Sequence, residues 1–347
     1  MKKRMRVVVA HRTGGHDDAV ADAPGLDGLR EPWDLGGLRI PNRVVQAPLA
    51  GIGNRAFRLQ AHRHGAGLVV SEMVASMGIH HGNRKTAGML RIDPAEGVTA
   101  IQLFGADPSV MAEAARAAQD AGASAVDINM GCPVPKICKT GAGAALLADP
   151  VHAASIVRAM ADAVRIPVMV KMRRGLTPDE ARPVDLARRF EQAGAAALTV
   201  HPRAAAEEYA GTSDHRITGD VAAAVAIPVV ASGDILTPGQ AAGVLRSAGC
   251  AAVMIGRAAL GDPWLLGAMA GGHAARPGLE GVVAEVARFA ADVRATLGDH
   301  TACHYMRKFY PWYLAGEDVP AREVAALLTD PTLDDALARL ARLVGHA

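Results

Sequence analysis

A parallel (β/α)8 barrel followed by a small all-helical domain is the fold class this sequence predicts, and three observations predict it. First, a weak repeat, His64-Gly-Ala-Gly-Leu-Val-Val, Ala121-Gly-Ala-Ser-Ala-Val-Asp-Ile, Ala193-Gly-Ala-Ala-Ala-Leu-Thr-Val and Ala248-Gly-Cys-Ala-Ala-Val-Met-Ile, sets a helix stop just before a strand. Its Gly accepts the left-handed conformation that ends a helix, and the apolar run after it suits a strand buried on both faces. Second, strand-like and helix-like stretches alternate, which calls for parallel strands joined by right-handed crossovers. Third, the residues after each strand are polar or Gly-rich, and a barrel gathers strand ends on one rim.

In chain order, Arg43-Val-Val-Gln-Ala-Pro, the four repeat units, Val98-Thr-Ala-Ile-Gln-Leu-Phe, Arg165-Ile-Pro-Val-Met-Val-Lys and Ala226-Ile-Pro-Val-Val-Ala-Ser give eight strands centred near 46, 69, 102, 127, 169, 198, 229 and 253. Pro108–Ala121, Pro150–Val164, Arg182–Ala193 and Pro238–Ala248 read as amphipathic crossover helices. The runner-up is a doubly wound open sheet, whose outer strands would carry their polar ends away from any shared crevice. From about Leu279 onward only helical periodicity remains, in Val282–Leu297, Ala302–Leu314 and Ala321–Val344. The expected division is a mobile tail over 1–30, a catalytic barrel over 31–272 and a helical RNA-binding domain over 273–347.

Half of the 347 residues are hydrophobic and 21% are charged, which excludes a disordered chain. Thirty-seven Lys and Arg against 35 Asp and Glu leave a formal charge of +2, so any nucleic-acid partner has to be held by local patches. Four cysteines without paired C-x-x-C spacing exclude a disulfide framework and structural zinc, and no metal is expected. The apolar part of MKKRMRVVVA stops at Ala10, short of the about 7–15 residues of a secretory signal, and no uncharged run reaches membrane length. The expectation is a cytoplasmic protein with no membrane contact and no obligate protein partner.

Glycines after the last two strands, in Ser232-Gly233-Asp234 and Gly256-Arg257, sit where barrels bind phosphate with backbone amides, so a phosphorylated ligand is expected. Lys171 closes a strand, where an ammonium is costly to bury without an anion, and it reads either as a Schiff-base nucleophile or as a fixed cation beside an electron-accepting ring. Cys132, on a strand-end loop between Gly131 and Pro133, is placed to exchange a proton or attack a substrate; a nucleophilic pair with His201 is a further option. Tyr305, Phe309, Tyr310, Trp312 and Tyr313, interleaved with His304, Arg307 and Lys308, read first as a small helical core and second as a base-stacking surface.

Over residues 40–314 the chain resembles the tRNA-dihydrouridine synthases, most closely their bacterial B-type branch. The motifs are Ala47-Pro-Leu-Ala-Gly-Ile with Phe57-Arg58, Ser71-Glu72-Met73, Gln102-Leu-Phe-Gly, Asp127-Ile-Asn-Met-Gly-Cys-Pro with Lys136, Gly141 and Gly143, Lys171-Met-Arg-Arg-Gly, His201-Pro-Arg, Gly233-Asp234-Ile and Ile255-Gly-Arg. The resemblance implies an FMN-dependent enzyme that reduces the C5=C6 bond of specific uridines in tRNA, with NADPH as reductant. By position it implies that Pro48, Leu49, Ala50, Gln102, Lys171, His201, Ser232, Gly233, Asp234, Gly256 and Arg257 hold FMN. It makes Cys132 the acid that protonates C5, sets Asn129 and Arg203 near the uracil, and gives Lys171 and His201 the task of stabilising negative charge. Arg173, Arg203, Arg307 and Lys308 are the expected RNA contacts.

Gly53-Asn54, Pro202, Ser232 and Phe309 depart from the family pattern, where Thr-Asp, Gly, Asn and His respectively are common. Ser232 bears on the cofactor, Pro202 and Phe309 on RNA contacts. The competing readings are the same chemistry on ribosomal RNA, an FMN-dependent reductase of a small-molecule enone or pyrimidine, a barrel aldolase working through Lys171, and a non-catalytic RNA-binding module.

Overall fold

The structure, a computed structural model, describes residues 26–271 and 276–345. Eight strands, β1 (Val44–Gln46), β2 (Leu68–Val70), β3 (Thr99–Phe104), β4 (Ala125–Met130), β5 (Val168–Arg173), β6 (Ala197–His201), β7 (Val229–Ser232) and β8 (Ala252–Ile255), pair in parallel. Their order is β2-β1-β8-β7-β6-β5-β4-β3, and β2 also pairs with β3, so the sheet closes and the open-sheet alternative falls. Around it lie α1 (Arg55–Arg63), α2 (Pro108–Asp120), α3 (Pro150–Ala163), α4 (Pro183–Gln192), α5 (His215–Ala224), α6 (Pro238–Ala248) and α7 (Trp264–Ala270). The starts of α2, α3 and α6 share one local cause: Asp107, Asp149 and Thr237 accept the first free amides, and Pro follows at the position where no N–H is needed. The β2–β3 crossover carries no long helix: it holds a two-residue strand, Val74–Ala75, that pairs with the end of β3, the short helices Ser76–His80 and Arg84–Gly88, and a single 3-10 turn, Pro94–Glu96.

Alternation along the strands divides two cores. Ile101, Val126, Val170 and Leu198 face the helices, whereas Val45, Leu68, Ala100, Ala125, Met169, Ala197, Val230 and Ala252 fill the barrel. A hairpin the sequence reading did not foresee, Trp33–Leu35 with Leu38–Ile40, adds Trp33, Leu35 and Ile40 to that inner core. Residues 26–30, expected in the mobile tail, are ordered by burial of Leu26 and Leu29 against the apolar face of α6; the tail before them and the domain boundary at 272–273 lie outside the described residues.

The C-terminal region comprises α8 (Leu279–Leu297), α9 (Asp299–Met306), α10 (Tyr310–Tyr313), α11 (Ala321–Leu327) and α12 (Leu333–Val344). Two stretches expected as single helices are broken, one between Met306 and Tyr310 and one at Asp330-Pro331, where Pro331 cannot continue a helix. Phe289 centres this core, its ring 5.0 Å from Phe309 and 6.4–6.5 Å from Phe57, Tyr305 and Tyr313. Ile52, Phe57, Leu260 and Trp264 of the barrel belong to the same cluster, so the two regions share one apolar core. No helix among the described residues is long and apolar enough to cross a membrane.

Candidate active site

Moving up the barrel interior, apolar side chains give way to polar ones at every second residue: Ala100 to Gln102, Ala125 to Asp127 and Asn129, Met169 to Lys171, Ala197 to Thr199 and His201, Val230 to Ser232. The two-residue period of a strand keeps these on the face of the apolar residue below, so the polar cluster follows from register alone. Lys171, His201, Ser232, Gly233, Asp234, Gly256 and Arg257 line one pocket with Pro48, Leu49 and Arg203. Ala50 is exposed on the loop beside it, and Gln102 lies buried in the barrel interior.

The Lys171 Nζ donates to Ser232 Oγ at 3.4 Å. Burial pulls its affinity for a proton down, opposed by the Asp127 carboxylate, whose own pKa burial pushes up. His201 is pushed down to about 2 by burial and then by Lys171, Arg173, Arg203 and Arg257. It is therefore neutral at physiological pH and can meet negative charge only through an N–H. Arg203 Nη1 lies 3.3 Å from His201 Nε2, so Nε2 accepts and the proton is assigned to Nδ1.

Opposite these side chains the backbone supplies an anion cradle. Among the described residues, the amides of Gly233, Asp234 and Ile235 after β7 and of Gly256, Arg257 and Ala258 after β8 make no hydrogen bond. Two rows of free N–H groups on adjacent strand ends, beside an exposed Arg257, suit a phosphate monoester. A Cβ on Gly256 would meet only Ala47 Cβ at 3.7 Å, whereas one on Gly233, whose φ is +119°, would stand 2.5 Å from Ser213 Oγ. The Asp234 carboxylate turns away from the cradle to Arg203, at 2.6 and 3.1 Å, and to the Ser213 amide. Buried Thr199 Oγ1 and Asp127 Oδ1 find no partner among the described residues. Two rows of free amides, a buried cation and orphaned polar atoms are a donor set that fits a flavin mononucleotide.

Cys132 lies half-buried on the loop after β4, and burial raises its thiol pKa, which keeps the proton on sulfur at neutral pH. Asn129 Oδ1 accepts the amides of Gly131 and Cys132 at 3.1 and 3.0 Å. The two arginines expected to meet RNA or uracil are committed internally. Arg173 donates to the carbonyls of Gly131, Ala204 and Glu208, and Arg203 to Ala210, Gly211, Ser213 and Asp234. Both are at most 3% exposed, because inward-facing guanidinium groups take the carbonyls of neighbouring loops.

In the C-terminal region the core reading of the aromatic segment holds: Tyr305, Phe309, Tyr310 and Tyr313 are buried, so they offer no stacking surface. Arg307 donates to the Asp330 carbonyl at 2.9 Å, whereas Lys308 is exposed, bonds the Gly51 carbonyl at 3.1 Å and lies 4.8 Å from the Tyr305 ring. Sequence reasoning passed over two pocket features. Asp127 carries a signal of its own, a carboxylate inside an apolar strand, beyond its place in the motif. Tyr209, whose ring lies 4.3 Å from the Arg257 guanidinium, carried no sequence signal because its loop has no periodicity.

With this geometry in hand, comparison with known proteins is informative. A family model described as "Dihydrouridine synthase (Dus)" matches residues 45–339. The chain is 38% identical over 286 residues to tRNA-dihydrouridine synthase B of Pseudomonas aeruginosa, covering 81% of this chain and 86% of that one. It is 37% identical over 314 residues to a probable tRNA-dihydrouridine synthase of Rhodobacter capsulatus, covering 88% and 97%. Among solved structures, a morphinone reductase variant in complex with tetrahydroNAD superposes with a TM-score of 0.55 at 17% identity over 71% of this chain and 91% of that one, a likeness of fold.

Proposed function

The chain belongs to the dihydrouridine synthase family, and from that premise we propose that it is a flavin-dependent oxidoreductase that reduces the C5=C6 bond of specific uridines in tRNA to 5,6-dihydrouridine, using FMN and NADPH. The observation that carries this reading is the facing of two rows of free amides and Lys171 at one rim with a thiol held protonated on the loop beside them. When bound, reduced FMN supplies the hydride.

Uracil is a conjugated enone, so hydride addition at C6 places negative charge on C5 and O4. Cys132 then transfers its proton to C5: the S–H bond breaks, the C5–H bond forms and a thiolate remains. The nearby Arg173 guanidinium favours that thiolate. Lys171 and the Nδ1–H of neutral His201 are the pocket's donors for developing negative charge. Asn129 Oδ1 is engaged by two amides and its Nδ2 by Gln102 Oε1 and, at 3.5 Å, Met73 Sδ, so Asn129 serves the reaction by holding the Cys132 loop. The target uridine has to leave its stack to reach these groups, so a cationic rim is required, and Lys308 beside the β1 loop is its first member. Four free thiols accord with a reducing cytoplasm.

The test is to identify the chromophore released by denaturation and then to incubate the holoenzyme with NADPH and tRNA lacking dihydrouridine. FMN in the supernatant and dihydrouridine in the product are expected. A colourless protein after FMN reconstitution, or reduction of free pyrimidines with none in tRNA, overturns the reading.

A further inference from the structure

Beneath the Cys132 loop runs a polar relay with a fixed direction. Gln102 on β3 and Asp127 on β4 are register partners, and Gln102 Nε2 donates to Asp127 Oδ2 at 2.6 Å. Asn129, two residues further up the same face, donates through Nδ2 to Gln102 Oε1 at 2.9 Å. Its Oδ1 in turn accepts the Gly131 and Cys132 amides. Asp127 and Gln102 are 1% exposed and Asn129 8%, so no bulk water substitutes for any member.

Burial raises the pKa of Asp127, but the Gln102 hydrogen bond and the Lys171 charge favour its ionised form, and an ionised carboxylate can only accept, whereas an amide side chain can be turned either way with little change in shape. Asp127 thus forces the NH2 of Gln102 towards itself and the carbonyl of Gln102 towards Asn129. That in turn forces the NH2 of Asn129 downwards and its carbonyl up to the loop. If Gln102 were turned over, Asn129 would present N–H to N–H at the loop and release it.

We infer that Asp127 is a positioning residue, acting through Gln102 and Asn129 to hold the loop that carries Cys132. The assignment rests on the reading of Cys132 as the acid, but the relay itself concerns only the protein. Neither the comparisons nor the sequence motifs give Asp127 this task. The chemistry of position 127 matters here by its polarity and not by its size, and that makes it separable from a structural role.

The experiment uses the full-length, flavin-free protein and reads alkylation of Cys132 by iodoacetamide, site by site, with buried Cys250 and Cys303 as internal reporters of folding. Asp127→Asn removes the constraint, because an amide at position 127 can accept from Gln102 or donate to it and both orientations of the relay become open; the Cys132 rate is expected to rise by up to about tenfold, with Cys250 and Cys303 unchanged. Asp127→Asn combined with Gln102→Glu restores the direction, because the carboxylate now at position 102 accepts from the amides on both sides; its Cys132 rate is expected to return to within about twofold of wild type. A single variant that alkylates at the wild-type rate overturns the assignment. So does a folded double variant whose Cys132 rate stays raised, and the double variant decides alone if the single one does not fold. Because no RNA or flavin enters the measurement, a wild-type enzyme that fails to reduce uridine would overturn the proposed function and leave this result standing.

Discussion

At the scale of single residues, the pocket separates groups by what burial does to their protons. Burial holds the Cys132 thiol protonated, so at rest it is a poor nucleophile that retains the proton the proposed reaction requires. Cys132→Ala is expected to leave flavin binding and flavin reduction by NADPH intact while transfer to uridine falls about 10²–10⁴-fold, the usual worth of a positioned general acid. Single-turnover absorbance separates the two half-reactions; wild-type transfer in the variant would make Cys132 a bystander. His201 gives a pH-dependent counterpart. The unfolded chain protonates it below about pH 6.5, whereas the folded protein, with a pKa near 2, does not, so its contribution to stability is lost as pH falls through the unfolded value. Urea unfolding of flavin-free wild type and His201→Asn should show their stability difference shifting by ~2 kcal/mol in favour of the variant between pH 7 and pH 5. A constant difference would mean that the folded imidazole titrates normally.

At the scale of elements, the strand ends explain what could be read in advance. All eight strands were legible because each is a short apolar run, four entered from a Gly that stops a helix and two from a Pro that a helix cannot pass, and these signals are local. The hairpin that joins the inner core escaped notice although Gly36-Gly37 marks it: both residues have positive φ, 57° and 87°, as a tight two-residue hairpin turn requires. The fate of Arg173 and Arg203 was not legible, since the carbonyls that take up their donors belong to irregular loops after β4 and β6, whose course no periodicity marks. The two pocket glycines, Gly233 and Gly256, illustrate how one residue type serves two purposes. Gly233→Ala puts a Cβ against Ser213 and His201 at a φ that L residues rarely adopt, so it should cost more than ~1 kcal/mol in stability even without flavin. Gly256→Ala meets only Ala47, so thermal stability should stay near wild type while FMN affinity falls, because the methyl enters the pocket. Thermal melts with and without FMN check both, and equal loss of stability in the two variants would contradict the distinction.

At the scale of the whole molecule, the helical region is mounted on the barrel by a shared core and by buried polar bonds: Gln60 of α1 donates to Glu285 and Tyr313, and Tyr305 donates to the Ile52 carbonyl at 2.6 Å. These bonds fix α9 beside the β1 loop and so set Lys308 at the barrel rim. The sequence reading treated Arg307 and Lys308 as one basic pair, but the break after Met306 turns them to different surroundings: Arg307 closes the Asp330 turn, and Lys308 stays exposed over Gly51. With a net charge of only +2 there is no global field to hold tRNA, so each exposed rim cation should register individually in the salt dependence of binding. Lys308→Ala is expected to flatten the slope of log K against log salt by about 0.7–0.9, the release of one counterion, with little change in unfolding midpoint. Arg307→Ala should do the reverse: it leaves the Asp330 carbonyl without its partner and lowers stability by ~1 kcal/mol, while the salt slope stays as in wild type. Filter binding of tRNA across a salt series, paired with urea melts of the same preparations, distinguishes them, and a slope that changes for Arg307→Ala but not for Lys308→Ala would place the RNA on another face.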